Sequence, residues 1–235
     1  MTKRNTGPGR REPRPDRGDI TRQKLLLASI DVFGRLGFDG ATTRALADAA
    51  SVNLQAIPYH FGGKEGLYIA VAEHIASAIA SHVAPLADHV RSRLADAEAQ
   101  GIPVEQEDAR AFLADILQTM AVLFVGAESE AWARFLIREQ MEPTEAFARV
   151  YGGVMKPLLD VVRRLIGLLL LEDPSSEHVR LRTLSLLGGV MVFRTAHAAA
   201  MAQLGWRTVG AREVEAVRAL ARELAGTIGR HGEGA

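Results

Sequence analysis

Apolar residues recur along most of this chain at intervals of three and four, the spacing that lines one face of a helix. In residues 19–36, Leu26, Ile30, Phe33 and Leu36 form such a stripe, with Asp19 placed as its cap. Gly37 suits a left-handed stop there, and Phe38 can fold back on the last turn. A short helix over 43–50 follows, capped by the hydroxyl of Thr42 or Thr43, with Leu46, Ala47 and Ala50 as a small apolar face. Ser51-Val52-Asn53 breaks it. Asn53 then caps a second short helix over 54–60, which Gly62-Gly63 ends. A long helix opens at Lys64 and runs to about residue 82, with Leu67, Val71 and Ile75 on one face; Pro85 predicts a break, and a further segment covers 86–100. Helices are expected over 105–125, over 130–141 with Ser129 as cap, and over 144–171 with a bend from Gly152-Gly153 and Pro157. Two more are expected over 177–204, started by Pro174-Ser175-Ser176 and stopped by Gly205, and over 210–228. No stretch alternates with period two over a useful length, so no strand is expected. The pattern predicts an all-α protein with about nine or ten helices.

The two short helices and the three-residue turn between them make a helix-turn-helix, whose second helix enters the major groove of DNA with its N-terminal residues towards the bases. The helix over 19–36 supplies its core, so residues 19–63 form a three-helix head. Ala47 is small enough for two helices to cross there. Asn53, Leu54, Gln55 and Ala56 occupy the first turn of the recognition helix. Gln55 matches the edge of adenine, while Leu54 and Ala56 can touch thymine methyl groups. Thr42, Thr43 and Arg44 begin the preceding helix, where N–H groups and a cation can hold phosphate.

Thr-Thr-x-x-x-Leu-Ala, then Val-Asn, then Tyr-His-Phe-Gly-Gly-Lys-Glu-Gly-Leu-Tyr resembles the DNA-binding region of the TetR family of bacterial transcriptional regulators, over roughly residues 20–75. Phe135-Leu136-Ile137-Arg138-Glu139-Gln140-Met141-Glu142-Pro143-Thr144 resembles the effector domain of the CecR-type subgroup. The resemblance implies that Tyr59, His60 and Lys64 also face the DNA backbone, and a phenol, an imidazole and an ammonium are all phosphate donors. It implies a body, residues 64–235, that binds a small molecule and releases DNA in response. It further implies a homodimer built from the last two long helices as a four-helix interface. The chain departs from the family pattern twice. Ser51 stands where glycine is usual in the turn, at a modest strain cost. Pro58 stands where an aromatic residue is usual; it lacks an N–H and collides with the carbonyl of Leu54, so the recognition helix should be kinked or short.

Charge agrees with a DNA-binding head. The chain is neutral overall, but residues 1–64 hold 11 Lys/Arg against 6 Asp/Glu, and residues 65–235 hold 17 against 22. Residues 1–18, rich in Arg, Pro and Gly, are read as a disordered basic arm. With no cysteine there is no disulfide framework or thiolate metal site, which suits a cytoplasmic protein. The longest apolar run, residues 165–171, is far short of the ~20 residues of a membrane span. The histidines do not fall in a metal-protease spacing, no glycine loop cradles phosphate, and neither an enzyme activity nor a cofactor is expected. In the body, Phe112, Met120, Phe124, Trp132, Phe135, Tyr151 and Met155 are candidates to line a ligand cavity, with Arg138, Arg194 and His197 inside it. The reading is a ligand-responsive repressor released from operator DNA by a small molecule, possibly controlling a transporter or drug-resistance gene. Two alternatives stay open: a cofactor-binding or enzymatic helical bundle with a helix-turn-helix head, and a DNA-binding protein without a ligand.

Overall fold

The computed structural model describes residues 17–229. Residues 1–16 of the expected arm lie outside them, whereas Arg17 and Gly18 belong to the first helix. Eleven α-helical segments and no strand are present among the described residues. They are α1 (Arg17–Gly40), α2 (Thr43–Ala50), α3 (Ala56–Phe61), α4 (Lys64–Gln100), α5 (Gln106–Val125), α6 (Glu130–Met141), α7 (Glu145–Val150), α8 (Lys156–Leu170), α9 (Glu177–Thr195), α10 (His197–Leu204) and α11 (Ala211–Gly226). The head is α1 to α3, closed by the first turns of α4. Leu26, Ile30 and Phe33 of α1 are buried with Leu46 and Ala47 of α2, Ile57 of α3 and Leu67 of α4. In the body, α5 lies in the middle, packed against α4, α8, α9 and α11.

Four boundaries differ from the reading of the sequence. Gly37 does adopt φ 71°, but the chain kinks there and resumes helical bonding, Ala41 N–H to Gly37 O at 3.3 Å. Pro85 does not break α4. The bond it cannot make is to the carbonyl of Ser81, and both residues are exposed, where solvent can satisfy that carbonyl. The expected single helix over 144–171 is divided by a wide π-type turn, Tyr151–Met155, where two glycines precede the N–H-less Pro157. The expected helix over 177–204 turns by 84° at Ala196, which carries φ −116° and ψ 37°. Ser129 is not the cap foreseen for α6; its hydroxyl points back and donates to Phe124 O (3.3 Å) and Gly126 O (3.0 Å) at the end of α5.

By length and composition α4 could cross a membrane. Its apolar residues from Leu67 to Leu94 are instead buried against α1, α3, α5, α7 and α8.

Head and body meet at two places. One is α4 itself. The other is the contact of α1 with α6, so close at Gly34 that an added Cβ would lie 3.2 Å from Cβ of Arg134. Between them sits Tyr68 of α4, caged by the rings of Phe33, Phe38 and Phe135 at 4.7, 5.1 and 4.9 Å. Its hydroxyl donates to Glu139 Oε1 of α6 at 2.5 Å. The other oxygen of Glu139 accepts from the backbone N–H (3.1 Å) and hydroxyl (2.9 Å) of Thr144, the cap of α7. Glu139 is 2% exposed. Burial, and after it the hydrogen bond to Glu139, push the Tyr68 phenol above its ordinary range, so it stays a donor. Glu139→Ala leaves the buried Tyr68 phenol and the Thr144 N–H without their acceptor and should cost about 2–3 kcal/mol in urea unfolding. Tyr68→Phe should cost less, about 1–2 kcal/mol, because Thr144 still serves the carboxylate. Wild-type midpoints for both would mean that this network does not hold head and body together.

Candidate nucleic-acid interface

The hydroxyl of Thr42 accepts from the N–H of Ala45 at 3.1 Å and so caps α2. That settles which of the two threonines is the cap. Thr43 and Arg44 follow on the exposed first turn. At the other end, Ser51 N–H bonds Asp48 O (3.0 Å) and Val52 N–H bonds Ala47 O (3.0 Å), a closure that needs a left-handed residue between them. Ser51 takes that conformation at φ 53°, ψ 46°. The strain expected from the missing glycine is therefore present, and the two carbonyl bonds hold it in place. Ala47, 3% exposed, lies in the head core with Ala50 and Ile57, as the crossing requires.

The recognition helix is short. Regular α-helix starts at Ala56, two residues later than expected from the sequence. Asn53 Oδ1 accepts from Gln55 N–H at 2.8 Å, so Asn53 caps a turn through Leu54 and Gln55 that leads into α3. This is the effect of Pro58. As the third residue of α3 it needs no intrahelical donor, and the carbonyl it cannot serve, that of Leu54, accepts from Ile57 N–H at 3.3 Å. Proline shortens the helix and does not kink it.

Along the outer side, Asn53, Leu54, Gln55 and Tyr59 are all exposed and Ala56 partly so. Tyr59 is 82% exposed, which removes core packing as its role. Its ring meets that of His60 edge-on at 4.7 Å, and His60 is half-buried. Lys64 opens α4 with its ammonium over the ring of Phe38 at 4.3 Å. Arg22 lies over Phe61 at 5.1 Å. Thr42, Thr43, Arg44, Gln55 and Tyr59 are thus all exposed on the head, while His60 and Lys64 are half-buried.

Reasoning from the sequence missed the role of Gly66. A Cβ there would lie 1.8 Å from the carbonyl oxygen of Phe61, so only glycine lets α3 and α4 approach this closely. Gly62 (φ 75°) and Gly63 (φ 137°) form the link between them, in conformations that side chains rarely adopt.

The ten residues expected to line a ligand cavity are spread over α5, α6, the π-type turn at 151–155, the end of α9 and the start of α10. Trp132 and Phe135 are buried in the core and Met120 is 5% exposed. Phe112 meets His89 edge-on. Tyr151 stacks on Phe147 at 5.6 Å, and Met155 accepts a long contact from Gln140 at 3.7 Å. Arg194 closes the end of α5 by donating to Phe124 O (2.8 Å) and Gly126 O (2.6 Å), with burial lowering its pKa. His197 Nδ1 is 3.2 Å from Phe193 O within its own helix bend. Arg138 lies against the kink of α1, 3.0 Å from where a Cβ of Gly37 would be, with a long contact to Arg35 O at 3.5 Å. It serves the contact of head and body. A cleft of ≈ 640 Å³ opens elsewhere, between α4, α5 and α11.

Residues 109–230 match the family described as "HTH-type transcriptional dual regulator CecR, C-terminal domain", and residues 25–71 match bacterial regulatory proteins of the tetR family. Over 205 residues the chain is 29% identical to the HTH-type transcriptional dual regulator CecR of Shigella flexneri, covering 86% of this chain and 87% of that protein. It is similar in fold to a TetR-like transcriptional regulator from Rhodococcus sp. RHA1, with TM-score 0.58 and 19% identity over 91% of this chain and 97% of that one. It is also similar in fold to the regulator FadR from Bacillus subtilis in complex with stearoyl-CoA, with TM-score 0.55 and 15% identity over 89% of this chain and 99% of that one.

Gln55→Ala should relax base preference at one position of each half-site, at a cost of roughly 1–3 kcal/mol for the preferred site only. Tyr59→Ala should weaken all sequences alike and leave the thermal midpoint near that of the wild type, since so little of the side chain is packed. Affinities for a set of single-base operator variants separate the two; a uniform loss for Gln55→Ala would remove it from the reading turn.

Proposed function

From the premise that the chain belongs to the TetR family of bacterial regulators, with a CecR-type C-terminal domain, we propose that it is a homodimeric repressor released from its operator by a small molecule. DNA-binding regulation of transcription is the activity of the family; the homodimer, the sense of regulation and the release go beyond it. The observation that carries it is the turn from Asn53 to Gln55, exposed at all three residues and leading into α3, which Gly66 lets pack closely against α4. Operator DNA puts its work in the cytoplasm.

The dimer reading rests on α9 and α11. Leu181, Leu184, Gly188 and Val192 recur at i, i+3, i+7 and i+11 on α9 and are all exposed, Leu184 by 60%. Leu220 of α11 is exposed beside them, and α11 packs on α9 where Leu224 approaches Gly189. An apolar stripe of this length over two neighbouring helices suits an isologous contact with a second copy. The effector reading rests on the body's separate cleft and on its two connections to the head. That a neighbour of the same fold is described with stearoyl-CoA supports a ligand in a body of this architecture.

If each subunit meets about four phosphates, log K for operator binding should fall with log salt at a slope on the order of −7. A mobility-shift series on the protein's own promoter measures this; binding indifferent to both salt and sequence would sink the proposal. Leu184→Glu should convert dimers to monomers in sedimentation and lower operator affinity at least tenfold while helical content stays unchanged, because two half-sites no longer bind together. A variant that remains dimeric would place the interface elsewhere.

A further inference from the structure

We propose that the cleft between α4, α5 and α11 is a binding site for an organic cation with an apolar body; that this occupant is the effector rests on the reading given under Proposed function. The cleft measures ≈ 640 Å³, within the range of sites for drug-sized ligands, roughly 300–1,000 Å³. Leu86 of α4 and Val122 and Leu123 of α5 give it an apolar wall. Four ionisable groups line it: His82 of α4, Asp115 of α5, Glu128 beyond the end of α5, and Arg218 of α11.

Their pairing decides the sign of the ligand. Arg218 is matched on its own helix, with Glu215 at 3.9 Å. Arg222, one turn further on, is directed to the side-chain oxygen of Gln118 at 2.9 Å. The amide nitrogen of Gln118 donates to Ala114 O, so this buried side chain is a wall of the cleft and has neither end available. Glu128 is met by His82 Nε2 at 3.1 Å, a group charged only when protonated. Asp115 has no ion pair among the described residues. Two carboxylates and the Arg218 guanidinium thus line the space, one carboxylate bonded to an imidazole and the other without an ion pair among the described residues. Arg218 is already engaged with Glu215, so an anion meets no unmatched cation there, and a neutral ligand would take water from the carboxylates without replacing it. A cation can take the place of His82 on Glu128 and reach Asp115, while its apolar part lies on Leu86 and Val122.

The site also joins the elements a regulator has to couple. His82 and Leu86 lie on the helix whose first turn supports the recognition helix, and Arg218 lies on a helix of the proposed dimer contact.

The test uses the full-length protein without DNA and two ions of the same shape and opposite charge, tetraphenylphosphonium and tetraphenylborate, titrated calorimetrically. The phosphonium should bind once per subunit, and the borate at least tenfold more weakly. Asp115→Asn and Glu128→Gln should each weaken the phosphonium about fivefold to tenfold with circular dichroism unchanged. Val122→Trp, which fills the cleft, should abolish binding. Equal affinity for the two ions, no phosphonium binding at millimolar concentration, or carboxylate variants with unaltered affinity would each overturn the site. A mobility shift run beside the titration keeps the two readings apart. If the phosphonium binds as described yet saturating amounts leave the operator complex intact, the cleft stands and release through it fails.

Discussion

One buried carboxylate holds the geometry on which the rest depends. Glu139 is shut off from water and accepts three hydrogen bonds, one from α4 and two from the cap of α7, while itself belonging to α6. Burying such a group is costly unless its lone pairs are met, and here they are met from two other helices, α4 and the cap of α7. The rings of Phe33, Phe38 and Phe135 exclude water around the same phenol and bring α1 into the arrangement. Apolar packing alone would allow α1 to slide along α6. The directed bonds of Glu139, with the close approach at Gly34 and the Arg138 guanidinium over Gly37, fix one register. The orientation of the head on the body is thereby specified by a few contacts far from the DNA-facing side.

Much of this was legible in the sequence, and the failures have physical causes. A threonine cap at 42 or 43 and the glycine stop at 62–63 could be read from local backbone chemistry, and the left-handed conformation at Ser51 followed from the resemblance, which puts glycine there. The all-helical class followed from period. What could not be read were effects set by distant partners. Pro85 looked like a breaker, but an exposed carbonyl one turn earlier lets α4 continue. Ala196 offered no sign of a bend, since neither glycine nor proline stands there; Arg194, tied to the end of α5, fixes the chain just before it. Arg138, Arg194 and Trp132 were grouped as ligand contacts because polar and aromatic residues in an apolar helix suggest a cavity. Such residues serve equally as helix closures and core, and only the fold distinguishes the two. The cleft escaped notice because its residues, from His82 to Arg218, are ordinary surface types scattered over four segments.

The departures at Ser51 and Pro58 bear on how bases are read. A long recognition helix holds its contact residues by the helix itself. Here Leu54 and Gln55 precede the regular helix, and their positions are fixed by the Asn53 side chain and by the bond of Tyr59 N–H to Gln55 O at 3.2 Å. That segment has fewer backbone bonds than a helical turn, so its fit to DNA relies more on the closure at Ser51. The αL strain at Ser51 therefore sits next to the residues proposed to read sequence, held by bonds to α2 on one side and the burial of Ile57 on the other.

The same helix receives both influences on the head. Near its start, Tyr68 grips the body through Glu139; farther along, His82 and Leu86 face the cleft. An α-helix rises about 1.5 Å per residue, so His82 lies roughly 20 Å along the axis from Tyr68. A rotation of a few degrees about the grip at Tyr68 therefore moves the cleft wall and the head together, in opposite senses. Because the helix passes Pro85 without interruption, nothing absorbs the motion between the two ends. In the proposed dimer, paired heads would have to keep their recognition helices about 34–36 Å apart to occupy successive grooves, so a small tilt in each subunit would break double engagement. The energy needed would be modest, about 1–3 kcal/mol per site, and reciprocal: an occupant that closed the cleft would disfavour DNA by the same amount. The tight grip at Glu139 is what makes so small a coupling sufficient, since a loose joint between head and body would dissipate the tilt before it reached the recognition helix.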